Sequence, residues 1–191
     1  FNQRIISLQA STFTYCDVWS TREYGYPSEG IIVDGNLYFN ICNPPGQFKG
    51  ISCLELNTHH IINNVFMFDL PSGGRYRYIK KIQKQYLVNQ MASPDKYLYV
   101  VDFDQKRILA QYCFDIDSSM FIHDYCWGEG YFYLLLRTTS FNMYIAKCDS
   151  QGSLIYLYAL SEVGEILRME YYANMVWLLD IQKNMVWAIA V

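Results

Sequence analysis

The stretch "SPDKYLYVVDFDQKRILAQYCFDID", residues 93–117, decides how the chain is read. It opens with a Ser-Pro-Asp turn, runs into an alternating aromatic strand, reverses through an acidic turn and continues as a second strand. Pro and Asp are turn chemistry, because Pro presets φ and Asp bonds its own neighbouring backbone. The apolar and aromatic residues that follow suit a pleated, half-buried surface. Such a unit reads as strand, turn, strand.

Working outward, the same form recurs. "DGNLYFNICNPPGQFKGISCLEL", "PDKYLYVVDFDQKRILAQYCF", "GEGYFYLLLRTTSFNMYIAKC" and "ANMVWLLDIQKNMVWAIAV" each read as turn, strand, turn, strand. Aligned on their aromatics, Tyr38, Tyr99, Tyr133 and Trp177 fall at separations of 61, 34 and 44 residues. A blade of the WD-repeat kind takes roughly 40–45 residues. The last interval fits, the first holds extra loop, and the middle one is a strand short. "SLIYLYALS" reads as an outer strand and "EILRMEYY" as an inner one. "RYRYIKKIQKQYL" fits a strand pair, although Ile79, Ile82 and Tyr86 also fit helical spacing. The expected fold is all-β: a propeller, or part of one, with about four antiparallel blades. A β-sandwich is the architectural alternative. The whole of 1–191 is expected to be a single propeller-like domain belonging to a longer chain.

Composition agrees. Of the 191 residues, 52% are hydrophobic and 17% aromatic, including 18 Tyr and 11 Phe. That is ample for a packed core. A net charge of −3 gives no reason to expect nucleic acid as a partner. No apolar run approaches the roughly 20 residues of a membrane span. None of the six cysteines forms a Cys-x-x-Cys pair, and several sit in strand-like apolar runs. Cys53, Cys113 and Cys148 are expected to be unpaired, which favours a cytoplasmic setting.

"NQMASPDKYLYVVDFDQKRI", residues 89–108, resembles the regucalcin, gluconolactonase and strictosidine-synthase-like propellers, in which an Asn step precedes Ser-Pro-Asp-Gly and a Leu-Tyr-Val-x-Asp strand. "SEGIIVDGNLYFNI", residues 28–41, is similar to that group's N-terminal Glu-Gly-Pro motif and first inner strand. The two stretches cover 34 of 191 residues. The resemblance implies one divalent, calcium-like metal on the propeller axis. Its ligands would be Glu29, Asn89 and Asp124, a hard oxygen set able to polarise a lactone carbonyl or activate water. The chain departs from the motif at Ile31, where the group has Pro, and at Gln90, where it has Gly. Glu29 and Asn89 are also about one blade too close.

Other chemistry-bearing residues have plainer readings. Arg75, Arg77, Lys80, Lys81 and Lys84, interleaved with Tyr76, Tyr78 and Tyr86, read as a solvated face or edge guard rather than a nucleic-acid platform. His59 and His60 read as turn surface. His123 and Asp124 are adjacent, and strand alternation would point them to opposite sides. No catalytic residue is assigned. The sequence therefore favours a non-catalytic module that binds a protein or small ligand on a propeller face, with the metal-dependent lactonase or esterase-like hydrolase as the alternative. Two patterns follow. Leu37, Leu98, Phe132 and Val176 should share one sheet face and Tyr38, Tyr99, Tyr133 and Trp177 the other, both mostly buried. The axis of an incomplete ring should be open to water, so that divalent ions do not bind tightly.

Overall fold

The computed structural model describes residues 4–9, 11–12, 15–21, 26–43, 47–66, 76–90 and 96–191. The Ser-Pro-Asp turn at 93–95 therefore lies outside the described residues, as do the loops at 44–46 and 67–75. The rest is a β-propeller of four antiparallel blades preceded by a hairpin.

The hairpin is β1 (Arg4–Leu8) and β2 (Tyr15–Ser20). Blade 1 holds β3 (Tyr26–Val33), β4 (Asn36–Asn43), β5 (Gln47–Glu55) and β6 (His60–Phe66). Blade 2 holds β7 (Tyr76–Ile82), β8 (Gln85–Gln90), β9 (Tyr97–Asp102) and β10 (Arg107–Cys113). Blade 3 holds β11 (Met120–Gly128), β12 (Tyr131–Thr138), β13 (Met143–Cys148) and β14 (Leu154–Ala159). Blade 4 has three strands, β15 (Ile166–Tyr172), β16 (Met175–Asp180) and β17 (Met185–Ala190). Each is a meander, and the first strands touch in chain order, β3 against β7, β7 against β11, β11 against β15.

Each first and second strand are joined by a two-residue turn. Asp34-Gly35, Glu129-Gly130 and Ala173-Asn174 have positive φ at both positions. That is the mirror-image turn whose twist matches the flanking strands. Gln83 is also left-handed, so Gln83-Lys84 closes the fourth joint with a positive φ at its first position only. The segment that also fitted helical spacing is thus the hairpin β7–β8.

These turns give the true repeat. Aligned on them, Leu37, Tyr86, Phe132 and Val176 are equivalent, at steps of 49, 46 and 44 residues. The uneven spacing read from the sequence arose because the strand after Ser-Pro-Asp, β9, is the third of its blade, not the second. It runs opposite to β4, β12 and β16, so its faces are inverted. Leu98 accordingly faces blade 3 and Tyr99 faces blade 1. The true counterparts are Tyr86, which packs toward blade 1, and Leu87, which packs toward blade 3.

The core lies between blades rather than inside one sheet pair. In β12, Phe132, Leu134 and Leu136 pack on blade 2, and Tyr133 and Leu135 on blade 4. Period-2 alternation thus assigns each side chain to a neighbour. Tyr112, Phe114 and Trp127 meet Phe132 with ring centroids 5.0, 5.2 and 4.6 Å away. Trp177 corrects the burial expectation. It is 36% exposed, because the far face of blade 4 has no described blade against it.

Cys53, Cys113 and Cys148 are free thiols, as expected, and so is Cys126. The side chain of Cys42 lies outside the described residues.

Candidate functional site

Every first strand carries one extra residue at the same height. The register against the second strand slips between Pro27 and Gly30, Tyr76 and Ile79, Ile122 and Asp124, and Ile166 and Arg168. A bulge leaves backbone groups without a ladder partner, and buried ones must find another. Counted back from the hairpin turns, Glu29, Tyr78, Asp124 and Arg168 occupy one equivalent position. Two of the three expected metal ligands thus share a place in the repeat. The side chain of Glu29 lies outside the described residues.

Asn89 and Asp124 are buried and engage these bulges. Asn89 Oδ1 accepts from the Tyr78 amide at 2.9 Å, and its Nδ2 donates to the Ile122 carbonyl of blade 3 at 3.1 Å. Asp124 Oδ1 accepts from the Tyr125 amide and Oδ2 from the Met169 amide of blade 4, both at 2.8 Å. Each side chain therefore caps a bulge and ties its blade to the next.

Lys80 completes the cluster. From β7 its Nζ donates to the Tyr125 carbonyl at 2.9 Å, the Met169 carbonyl at 2.8 Å and Glu170 Oε1 at 3.0 Å, and pairs with Asp124 Oδ1 at 2.9 Å. Burial depresses the ammonium, but the Asp124 and Glu170 carboxylates outweigh it, and its pKa stands above the ordinary lysine value. Burial raises the Asp124 carboxyl, against the pull of Lys80 and the two amides. Three polar contacts around the carboxylate keep it the natural counter-ion of Lys80.

Blade 2 also reaches across to blade 4. The Tyr78 hydroxyl donates to the Leu167 carbonyl at 3.2 Å, and the Arg168 guanidinium lies 4.0 Å over the Tyr78 ring. The Tyr125 hydroxyl donates to the Leu87 carbonyl at 2.6 Å. The centre between blades 2 and 4 is therefore packed with side chains, not open to water as the sequence suggested. Lys80 and Tyr78, read from the sequence as parts of a solvated basic face, are its main fillers.

His123 is the extra residue of the β11 bulge, so the alternation argument does not apply there. It and Asp124 are both buried. His59, in the turn before β6, and His60, the first residue of β6, are both exposed. Among the described residues, no three His, Cys, Asp or Glu side chains are grouped as metal ligands. No helix there is long and apolar enough to cross a membrane.

No family model matches the chain, and no curated protein does. Solved structures share its fold. Hydrazine synthase from Kuenenia stuttgartiensis is similar over 99% of this chain and 60% of that one, at 12% identity and a TM-score of 0.61. A catalytically inactive virginiamycin B lyase from Staphylococcus aureus, solved with quinupristin, gives the same coverage and identity with a TM-score of 0.60. The Raptor protein of Chaetomium thermophilum aligns over 97% of this chain and 17% of its own, at 8% identity and a TM-score of 0.57. The chain is a β-propeller. It spans about 60% of the length of the first two, and the likeness to lactonase-like propellers is one of fold.

Proposed function

We propose that this propeller is a non-catalytic recognition module that binds a protein or small ligand on one of its faces. The observation that carries this reading is the engagement of Asn89, Asp124 and Lys80. Their polar atoms are occupied by bonds within and between blades. A reaction at the axis would have to break those bonds first. The rim loops, where blades leave clefts between them, remain as the ligand surface. Fold alone carries no function, since the similar structures include both a lyase and Raptor.

The test is calorimetric titration with Ca²⁺, Mn²⁺ and Zn²⁺, beside assays of lactone and aryl-ester hydrolysis. The expected outcome is no saturable micromolar ion binding and no turnover. Micromolar binding that disappears in both Glu29→Ala and Asn89→Ala, with the fold intact by circular dichroism, would promote the metal-dependent hydrolase.

A further inference from the structure

On the face opposite the two-residue hairpin turns, the β12–β13 turn, the loop after β14 and the β16–β17 turn enclose a cleft of about 260 Å³. His123, Arg137, Phe141, Met143, Glu165 and Ile166 line it. A second cleft of about 380 Å³ adjoins it, sharing Phe141, Met143 and Gly164. Phe141 stands between the two.

The walls are built rather than loose. Asp180 Oδ2 accepts from the Gly164 amide at 2.7 Å and the Trp187 indole at 3.1 Å, while Oδ1 accepts from the Lys183 amide at 2.9 Å. A Cβ at Gly164 would lie 2.7 Å from Asp180 Oδ1, so the loop can approach only with glycine there. Opposite, Thr138 accepts from the Phe141 amide through its carbonyl at 3.0 Å and from the Asn142 amide through its hydroxyl at 3.1 Å.

Two features of this cleft point to a ligand. Arg137 lies over the Phe141 ring at 4.2 Å, and among the described residues no carboxylate pairs with it. Phe141 is 70% exposed and held at φ 68°. A bulky side chain in the left-handed region is an outlier that the surroundings must impose, and such outliers cluster at functional sites.

We infer that the Arg137–Phe141 pair clamps a monocarboxylate with an aromatic or branched apolar body in the cleft between blades 3 and 4. The guanidinium fork matches a carboxylate, and Phe141, Met143 and Ile166 supply the apolar wall. Glu165 beside a single guanidinium disfavours a phosphate dianion. A free acid and the C-terminus of a peptide present this same chemistry. This deepens the recognition reading and rests on it.

The probes are N-acetyl-phenylalanine, its amide and its ethyl ester, with an apolar pentapeptide ending in a free carboxylate and its amidated twin. Binding is read by calorimetry and ligand-detected NMR. The acid should bind, and the amide should bind about tenfold or more weakly. Arg137→Gln should lose about tenfold, with Arg137→Lys between it and the parent. Phe141→Gly should weaken binding while Tm stays level or rises, which a purely structural role would not produce. A tighter peptide than free acid assigns a chain terminus as the source, and the reverse assigns a free acid. Equal binding of acid and amide, no binding at millimolar acid, or a wild-type affinity in folded Arg137→Gln would overturn the site. Turnover of the ester would instead sink the recognition reading, so the two failures are separable.

Discussion

At the scale of single residues, the packed centre depends on one charge pair. Removing one partner of a buried pair costs about 3–5 kcal/mol, because the other is left uncompensated. Lys80→Met should therefore lower the unfolding free energy by about that amount, read as a lower urea midpoint at unchanged m-value. Lys80→Met with Asp124→Asn should cost less than the two singles combined. A strictly additive cycle would mean that the pair is incidental. The pH dependence has a definite sign. The folded pKa of Lys80 is raised, so its stabilisation is complete below the unfolded value of about 10.4 and is lost as pH rises through the folded one. Asp180 behaves oppositely. Burial opposes, but the Gly164 and Lys183 amides and the Trp187 indole lower its pKa. Its contribution holds above the unfolded value of about 3.9 and fades as pH falls through the folded one. Thermal melts of the parent and Lys80→Met between pH 9 and 12 should converge as the ammonium deprotonates. Little of this was legible in the sequence. Asp124 and Asn89 are singled out only through the resemblance, as metal ligands, whereas their partners include backbone groups freed by bulges. A bulge leaves no residue type behind as its mark.

At the scale of elements, strand chemistry was legible and strand order within a blade was not. "DGN" and "GEG" announce their hairpins because Gly tolerates positive φ. Gln83-Lys84 and Ala173-Asn174 make the same joint with residues that do not advertise it. The repeat was consequently aligned on the Ser-Pro-Asp strand, one strand too far out, although strand type and blade count were right. The outer strand β14, "LIYLYA", shows what the fold leaves uncovered. All six of its residues are exposed, and none is charged. Natural edges carry Lys, Pro or a bulge against unwanted pairing; β14 has only a register slip near its start, opposite Lys147 and Cys148, and a short uncharged strand rich in aromatics is an aggregation template. Leu157→Lys should slow concentration-dependent turbidity while changing the unfolding free energy by no more than about 0.5 kcal/mol. Unchanged aggregation would place the sticky surface elsewhere. Thiols report burial on the same scale. Cys16 and Cys113 are exposed, whereas Cys53, Cys126 and Cys148 are buried. Burial, with Asp149 and Asp115 nearby, pushes Cys148 up to about 12. A thiol reagent should therefore label Cys16 and Cys113 in the native protein and reach Cys53, Cys126 and Cys148 only on unfolding. Rapid native labelling of Cys148 would contradict the packing of blades 2 and 3.

At the scale of the whole molecule, stability should be graded around the arc, because a blade is stabilised by its neighbours rather than by itself. Blade 3 packs on both sides, and Phe132 through Leu136 are each no more than 2% exposed. It also receives Asn89 and Lys80 from blade 2 and gives Asp124 to blade 4. Blade 4 is covered on one face only. In β16, Val176 and Leu178 are fully buried while Trp177 and Leu179 on the other face are 36% and 40% exposed. β17 lies on the free edge of its sheet, as β14 does of blade 3. Local opening free energy follows buried apolar contact, so amides in poorly covered elements exchange without global unfolding. Hydrogen exchange followed by mass spectrometry should therefore show peptides within 131–138 exchanging last, near the global limit. Peptides from 154–159 and 185–190 should exchange well before them. Lys80→Met should accelerate 131–138 without reversing that order, because it loosens the centre that blades 2, 3 and 4 share. If 185–190 were protected as long as 131–136 in dilute protein, the far face of blade 4 would be covered in solution, and the gradient of stability drawn from these packing contacts would be wrong.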